Sequence, residues 1–163
     1  MRRPTSIHTV DVSLIVHDVC EAFSSGGRTI HNVVEEITGS CFVAESVNMA
    51  VGQIVTEAVM NALKYAYRED EAGDITVRCT PGDSGKFLIE VADRGVGGLP
   101  DSLSTAAKSF GVRLMRGIAR QENIGLSFVA TSPGLSVQFL LPCSAPSEGN
   151  RTVAEESDAM CGT

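Results

Sequence analysis

No apolar run in the sequence is long enough to span a bilayer, and the opening MRRPTSIHTVDVS has no apolar centre of the kind a signal peptide needs. The chain is therefore expected to be cytoplasmic and to make no membrane contact of its own. Clustered lysine and arginine are missing as well. Thirteen basic residues stand against 20 acidic ones, a formal net charge of −7, which argues against a nucleic-acid surface. The five cysteines (Cys20, Cys41, Cys79, Cys143 and Cys161) form no CxxC pair or other metal spacing. They are expected to be reduced thiols, mostly packing groups. A phosphate loop of the form G-x-x-x-x-G-K-S/T is absent too. GDSGK at 82–86 has the wrong spacing, and Phe87 stands where a hydroxyl should follow the lysine, so the segment reads as a hairpin turn. No internal repeat is present.

What remains is a chain of one-domain size, 163 residues, with 43% hydrophobic residues. Asp11 to Phe23 and Phe110 to Gln121 have helical apolar spacing, and a longer helix is expected from Ala44 to Tyr67. Strands are expected at Thr29–Ile37, Asp74–Thr80, Lys86–Ala92, Leu126–Thr131 and Leu135–Leu141, the last four as two hairpins. Strands and helices do not alternate regularly, which disfavours a doubly wound parallel sheet. The expected class is an α/β (α+β) two-layer sandwich, helices on one face of a mixed, mostly antiparallel sheet. The folded domain is expected to span 1–142. Residues 143–163 hold four acids against one base and no apolar period, and are expected to be a disordered acidic tail.

Three stretches carry candidate chemistry. In EAVMNALKYAY (57–67), Glu57, Asn61 and Lys64 fall at spacings of four and three, on one face of a helix whose other side is apolar. That face is either solvated or a site on the helix rim. ADRGVGGLP (92–100) places Asp93 at a strand end, with glycines at 95, 97 and 98. It reads as a surface turn, or as a pocket in which a carboxylate accepts from an amine while a ring lies close to backbone. SFGVRLMRGIARQ (109–121) puts Gly111 at a helix start, where free N–H groups favour a phosphate, although glycine is common there.

Taken in order, these three motifs resemble the N, G1 and G2 boxes of the GHKL ATPase superfamily, across residues 10–142. NALKYAY, DRGVGGLP and FGVRLMRGIARQ are most similar to the ATP-binding catalytic domain of HWE-type bacterial histidine kinases. Arg94 stands where many relatives have Asn, and ENIG at 122–125 replaces a more usual double-glycine turn. The resemblance implies the Bergerat fold, with ATP and Mg²⁺ as cofactors. Asn61 would be the metal ligand and Glu57 the catalytic base. Lys64 and Tyr65 would reach phosphates, Asp93 would hold the adenine amine, Gly95 and Gly97 would shape the pocket, and Gly111 would offer N–H groups to phosphate.

The function implied is transfer of the γ-phosphoryl group to a histidine on a partner domain or signalling protein in two-component signalling. No dimerisation and phosphoacceptor domain precedes the motifs, so that histidine is expected on another polypeptide or on a further part of a longer kinase. His17 lies on what resembles the first helix of the catalytic domain and is expected to be structural. Arg113 and Arg116 fit a solvated helix face as well as a phosphate. Two other functions share the motifs: an anti-sigma factor that phosphorylates serine, and a Bergerat-fold binding module without turnover.

Overall fold

The computed structural model describes residues 8–26, 30–96 and 110–145. In chain order the elements are β1 (Thr9–Asp11), α1 (Val12–Ser24), β2 (Asn32–Ile37), β3 (Phe42–Ala44), α2 (Glu45–Tyr65), β4 (Asp74–Pro81), β5 (Lys86–Asp93), α3 (Phe110–Gln121), β6 (Gly125–Ala130) and β7 (Leu135–Pro142). The main sheet runs in the order β2-β4-β5-β7-β6, with β2–β4 parallel and every other pair antiparallel. The helices pack on one face. This is the two-layer sandwich expected, on a mixed and mostly antiparallel sheet.

Period-two alternation decides which strand residues meet the helices. In β4 the buried set is Ile75, Val77 and Cys79, and in β5 it is Phe87, Ile89, Val91 and Asp93. Against this face α2 sets a stripe at helical spacing, from Ala50 and Val51 through Ile54, Val55, Ala58 and Val59 to Ala62, all buried. The outer face carries a polar cluster beside apolar Val34, Leu88 and Leu140. Arg78 donates to Glu36 at 2.7 Å and to Glu90 at 2.6 Å, while Ser136 and Gln138 donate to the other Glu90 oxygen at 2.5 and 3.3 Å. Burial raises the Glu90 carboxyl while these donors pull it further the other way, to a net position below the usual glutamate range.

Several boundaries differ from expectation. The first main-sheet strand starts at Asn32, and 27–29 lie outside the described residues. A second, two-stranded sheet joins β1 to β3 through three residue pairs. The Asp11 carboxylate sits beside it, accepting from Ser13 N–H at 3.1 Å to cap α1 and from Cys41 N–H at 3.3 Å. The GDSGK segment is indeed a hairpin turn, closed by Gly82 N–H on the Lys86 carbonyl at 2.8 Å.

The cysteine reading needs a correction. Cys41 and Cys143 form a disulfide across 102 residues, with Cα atoms 5.3 Å apart. Their cysteine character therefore lies in a cross-link, and cysteine usage no longer argues for a reducing compartment. Cys20 and Cys79 do behave as packing groups, their thiols pushed by burial up to about 12. The residues after β7 are held as well: Ser144 N–H donates to the Phe42 carbonyl at 2.7 Å, and the rest of the expected tail, from 146 on, lies outside the described residues. Among the described residues, no helix is long and apolar enough to cross a membrane.

Candidate functional site

The C-terminal half of α2 supports the site. Its buried stripe fixes the helix rotation, which leaves Glu57 and Asn61 half-buried on the rim that α3 approaches. Val112, Met115 and Ala119 hold α3 down on the core. Its first turn then lies over that rim so tightly that a Cβ at Gly111 would sit 2.7 Å from Glu57 Oε2 and 3.6 Å from both amide atoms of Asn61. The structure thus brings the first and third motifs together. The first turn of a helix, an amide oxygen and a carboxylate share one spot, a set suited to an anion accompanied by a hard cation.

The second motif meets the same helix one or two turns further on. Asp93 is the last residue of β5 and shares the parity of Val91, so it points to the helix side, 8% exposed. Its Oδ1 accepts from Gly95 N–H at 3.0 Å. Burial pushes this carboxyl above the usual aspartate range, against the opposing pull of the Gly95 and Leu135 N–H groups. Val96 N–H donates to the Ala66 carbonyl at 2.8 Å, and a Cβ on Gly95 would overlap that same carbonyl. Only glycine allows so close a passage. Ala66 follows Asn61 by five residues, ~7.5 Å along a helix axis. A buried acceptor beside bare backbone suits a flat, amine-bearing ring, and the helix rim leads from it to the anion spot.

Of the other expected residues, Lys64 and Tyr65 are exposed at the end of α2, Tyr65 by 70%. Gly97 lies outside the described residues. Arg116 stacks over Phe128, 5.6 Å from the ring centre, which gives it a structural role. His17 is far along α1 and pairs with Glu35, Nδ1 to Oε2 at 2.9 Å. Among the described residues no three His, Cys, Asp or Glu side chains gather to hold a metal. Magnesium does not require such a cluster, since it keeps several waters and takes few protein ligands, and the Asn61 oxygen beside the α3 start fits that manner of binding.

Neither Tyr67 nor Gly134 is among the residues expected at the site. Gly134 has φ +108°, and a Cβ there would overlap the Asp93 carbonyl, so the β6–β7 turn backs directly onto Asp93. In the sequence it lies in SPG (132–134), the turn of the second expected hairpin, which is legible as a turn but not as a neighbour of β5. Tyr67 donates its hydroxyl to the Asp74 carbonyl at 2.6 Å and accepts from Arg94 N–H at 3.0 Å. The AY that ends the first motif was its only trace in the sequence.

Known structures share this fold. The histidine kinase domain of the Erythrobacter litoralis EL346 blue-light activated histidine kinase is similar at 21% identity and TM-score 0.62, covering 81% of this chain and 57% of that one. The mycobacterial sensor histidine kinase MprB gives 18% and 0.68, covering 83% and 97%. Full-length ShkA in complex with AMPPNP gives 18% and 0.70, covering 93% and 34%. The chain spans about half the length of the blue-light kinase chains it matches, 57% and 46%. At these identities the likeness shows the fold, which is the Bergerat fold of GHKL ATPases. No curated protein matches the chain. The family model described as histidine kinase-like ATPase domain matches residues 26–131, most of the chain and all three motifs, and the protein belongs to that family.

Proposed function

We propose that the chain is an ATP-binding catalytic domain of HWE histidine-kinase type that transfers the γ-phosphoryl group to a histidine on a partner domain or protein. The observation that carries this reading is the meeting of Glu57, Asn61 and Gly111 on one helix rim, with Gly95, which bonds to Asp93, passing close against Ala66 of the same segment. Asp93 accepts the adenine amine, and Gly95 and Gly97 let the ring lie against backbone. The N–H groups around Gly111 receive the phosphates, and Lys64 and Tyr65 stand at the end of α2 within the reach of long side chains. Asn61 holds Mg²⁺, which when bound supplies charge neutralisation to the phosphate oxygens. Glu57 polarises the attacking group or takes its proton. Histidine as acceptor, and two-component signalling as setting, rest on the motif resemblance.

The test is incubation of the chain with γ-labelled ATP, magnesium and candidate acceptor domains, followed by acid treatment. Acid-labile label on the acceptor supports transfer to histidine. Acid-stable label would mark a serine kinase of the anti-sigma kind, and nucleotide binding with no transfer to any acceptor would leave a binding module.

A further inference from the structure

Tyr67 is linked to four separate segments. It follows the last turn of α2, its ring stacks on His31 at 5.1 Å between centres and 25° between planes, and it lies against Gly73, where a Cβ would overlap the ring. The hydroxyl uses both of its capacities. It donates to the Asp74 carbonyl at 2.6 Å, which orients its lone pairs, and it accepts from Arg94 N–H at 3.0 Å. That N–H belongs to the peptide plane immediately after Asp93. Because the plane is rigid, holding its N–H restrains the ψ angle of Asp93 and with it the direction of the Cα–Cβ bond, from which the Gly95 N–H bond to Oδ1 then sets the carboxylate.

Other contacts fix the neighbouring planes: Gly95 N–H on Asp93 Oδ1, Val96 N–H on the Ala66 carbonyl, and Gly134 against the Asp93 carbonyl. The phenol adds a side-chain group from the end of α2 to these contacts, bonding to the 93–94 peptide itself. We propose that Tyr67 is a positioning residue for base recognition, its hydroxyl setting where the Asp93 carboxylate meets the purine amine. This rests on the reading of Asp93 as the amine acceptor given above.

Tyr67→Phe keeps the ring and removes the bond. In titrations of the full chain with magnesium and nucleotide, ATP affinity should fall about three- to tenfold, the range of one ordinary hydrogen bond. Purine riboside triphosphate, which lacks the exocyclic amine, should bind the variant and the wild type alike. In an Asp93→Asn background the same change should cost nothing further, because the group it positions is gone. Gly73→Ala, which displaces the ring instead, should give the same amine-specific loss if Tyr67→Phe folds poorly. Equal weakening toward both nucleotides would reduce Tyr67 to general support and overturn the proposal. So would unchanged ATP binding by Tyr67→Phe alongside a weakened Asp93→Asn variant. If Asp93→Asn binds ATP as the wild type does, the amine-acceptor reading falls first and the role of Tyr67 falls with it.

Discussion

Gly111 and Glu57 approach so closely that a Cβ at position 111 would stand 2.7 Å from the Glu57 carboxylate. The crowded atom is the far end of a flexible side chain, so Gly111→Ala should push Glu57 aside and leave the fold intact. Alanine also favours a helix over glycine by roughly 0.5–1 kcal/mol. The melting temperature should therefore hold or rise while phosphoryl transfer falls by roughly tenfold or more, a fraction of the roughly 10²–10⁴-fold that a general base contributes. A Gly111→Ala variant as active as the wild type would mean that the position of Glu57 does not matter to the chemistry.

Glu57 and Asn61 lie one turn apart on the same rim, yet their losses should differ. Asn61→Ala should remove much of the magnesium-dependent part of nucleotide affinity. Glu57→Ala should leave binding nearly intact and slow the chemical step by about 10²–10⁴-fold. Nucleotide titrations with and without magnesium, paired with single-turnover phosphorylation, separate the two. Normal Mg·ATP binding by Asn61→Ala would refute Asn61 as the metal ligand.

The exposed pair of His17 and Glu35 predicts a pH dependence of stability. The hydrogen bond to Glu35 and the charge of the same group raise His17 above its ordinary 6.5. A histidine raised in the folded state contributes stability that is fully present below its unfolded pKa. That stability is lost as pH rises through the folded value. Glu35→Gln should thus lower the melting temperature more at about pH 5.5 than at about pH 8.5. A deficit independent of pH would show that the imidazolium is not involved.

The Cys41–Cys143 bridge closes a span of 102 residues, and disulfides typically stabilise by about 2–4 kcal/mol, long loops such as this one toward the upper end. Reductant, or Cys143→Ser, should lower the melting temperature, and the two together should do no more than either alone. Finding all five cysteines as free thiols in the denatured, unreduced chain would show that the bridge does not form.

Elements with strong periodicity were legible in the sequence. The apolar stripe of α2 and the alternation in β4 and β5 gave the two layers, whereas the strand was expected to stop at Ala92, so the burial of Asp93, one residue further on at the parity of Val91, was not read. What could not be read depends on partners distant in the chain. β1 and β3 are three residues each and exist only as a pair. The parallel pairing of β2 with β4 joins segments about 40 positions apart, and neither the Cys41–Cys143 bridge nor the contact of Gly134 with Asp93 has a local signature. The hydroxyl of Tyr67 is half of the same difficulty: a tyrosine at a helix end shows a ring that needs covering, not which two peptides its oxygen will join.

The polar ladder on the outer face of the sheet reaches beyond solvation. Glu36, Arg78, Glu90 and Gln138 are register partners across four adjacent strands. A slip of β5 by one residue would break both Glu90 rungs, to Arg78 and to Gln138, and turn Glu90 into the core. The same slip would carry Asp93 ~3.3 Å along the strand and swing it to the opposite face. The ladder thus works as a vernier: charges read by water on one side of the sheet set, to within one residue, the depth at which a carboxylate stands on the other.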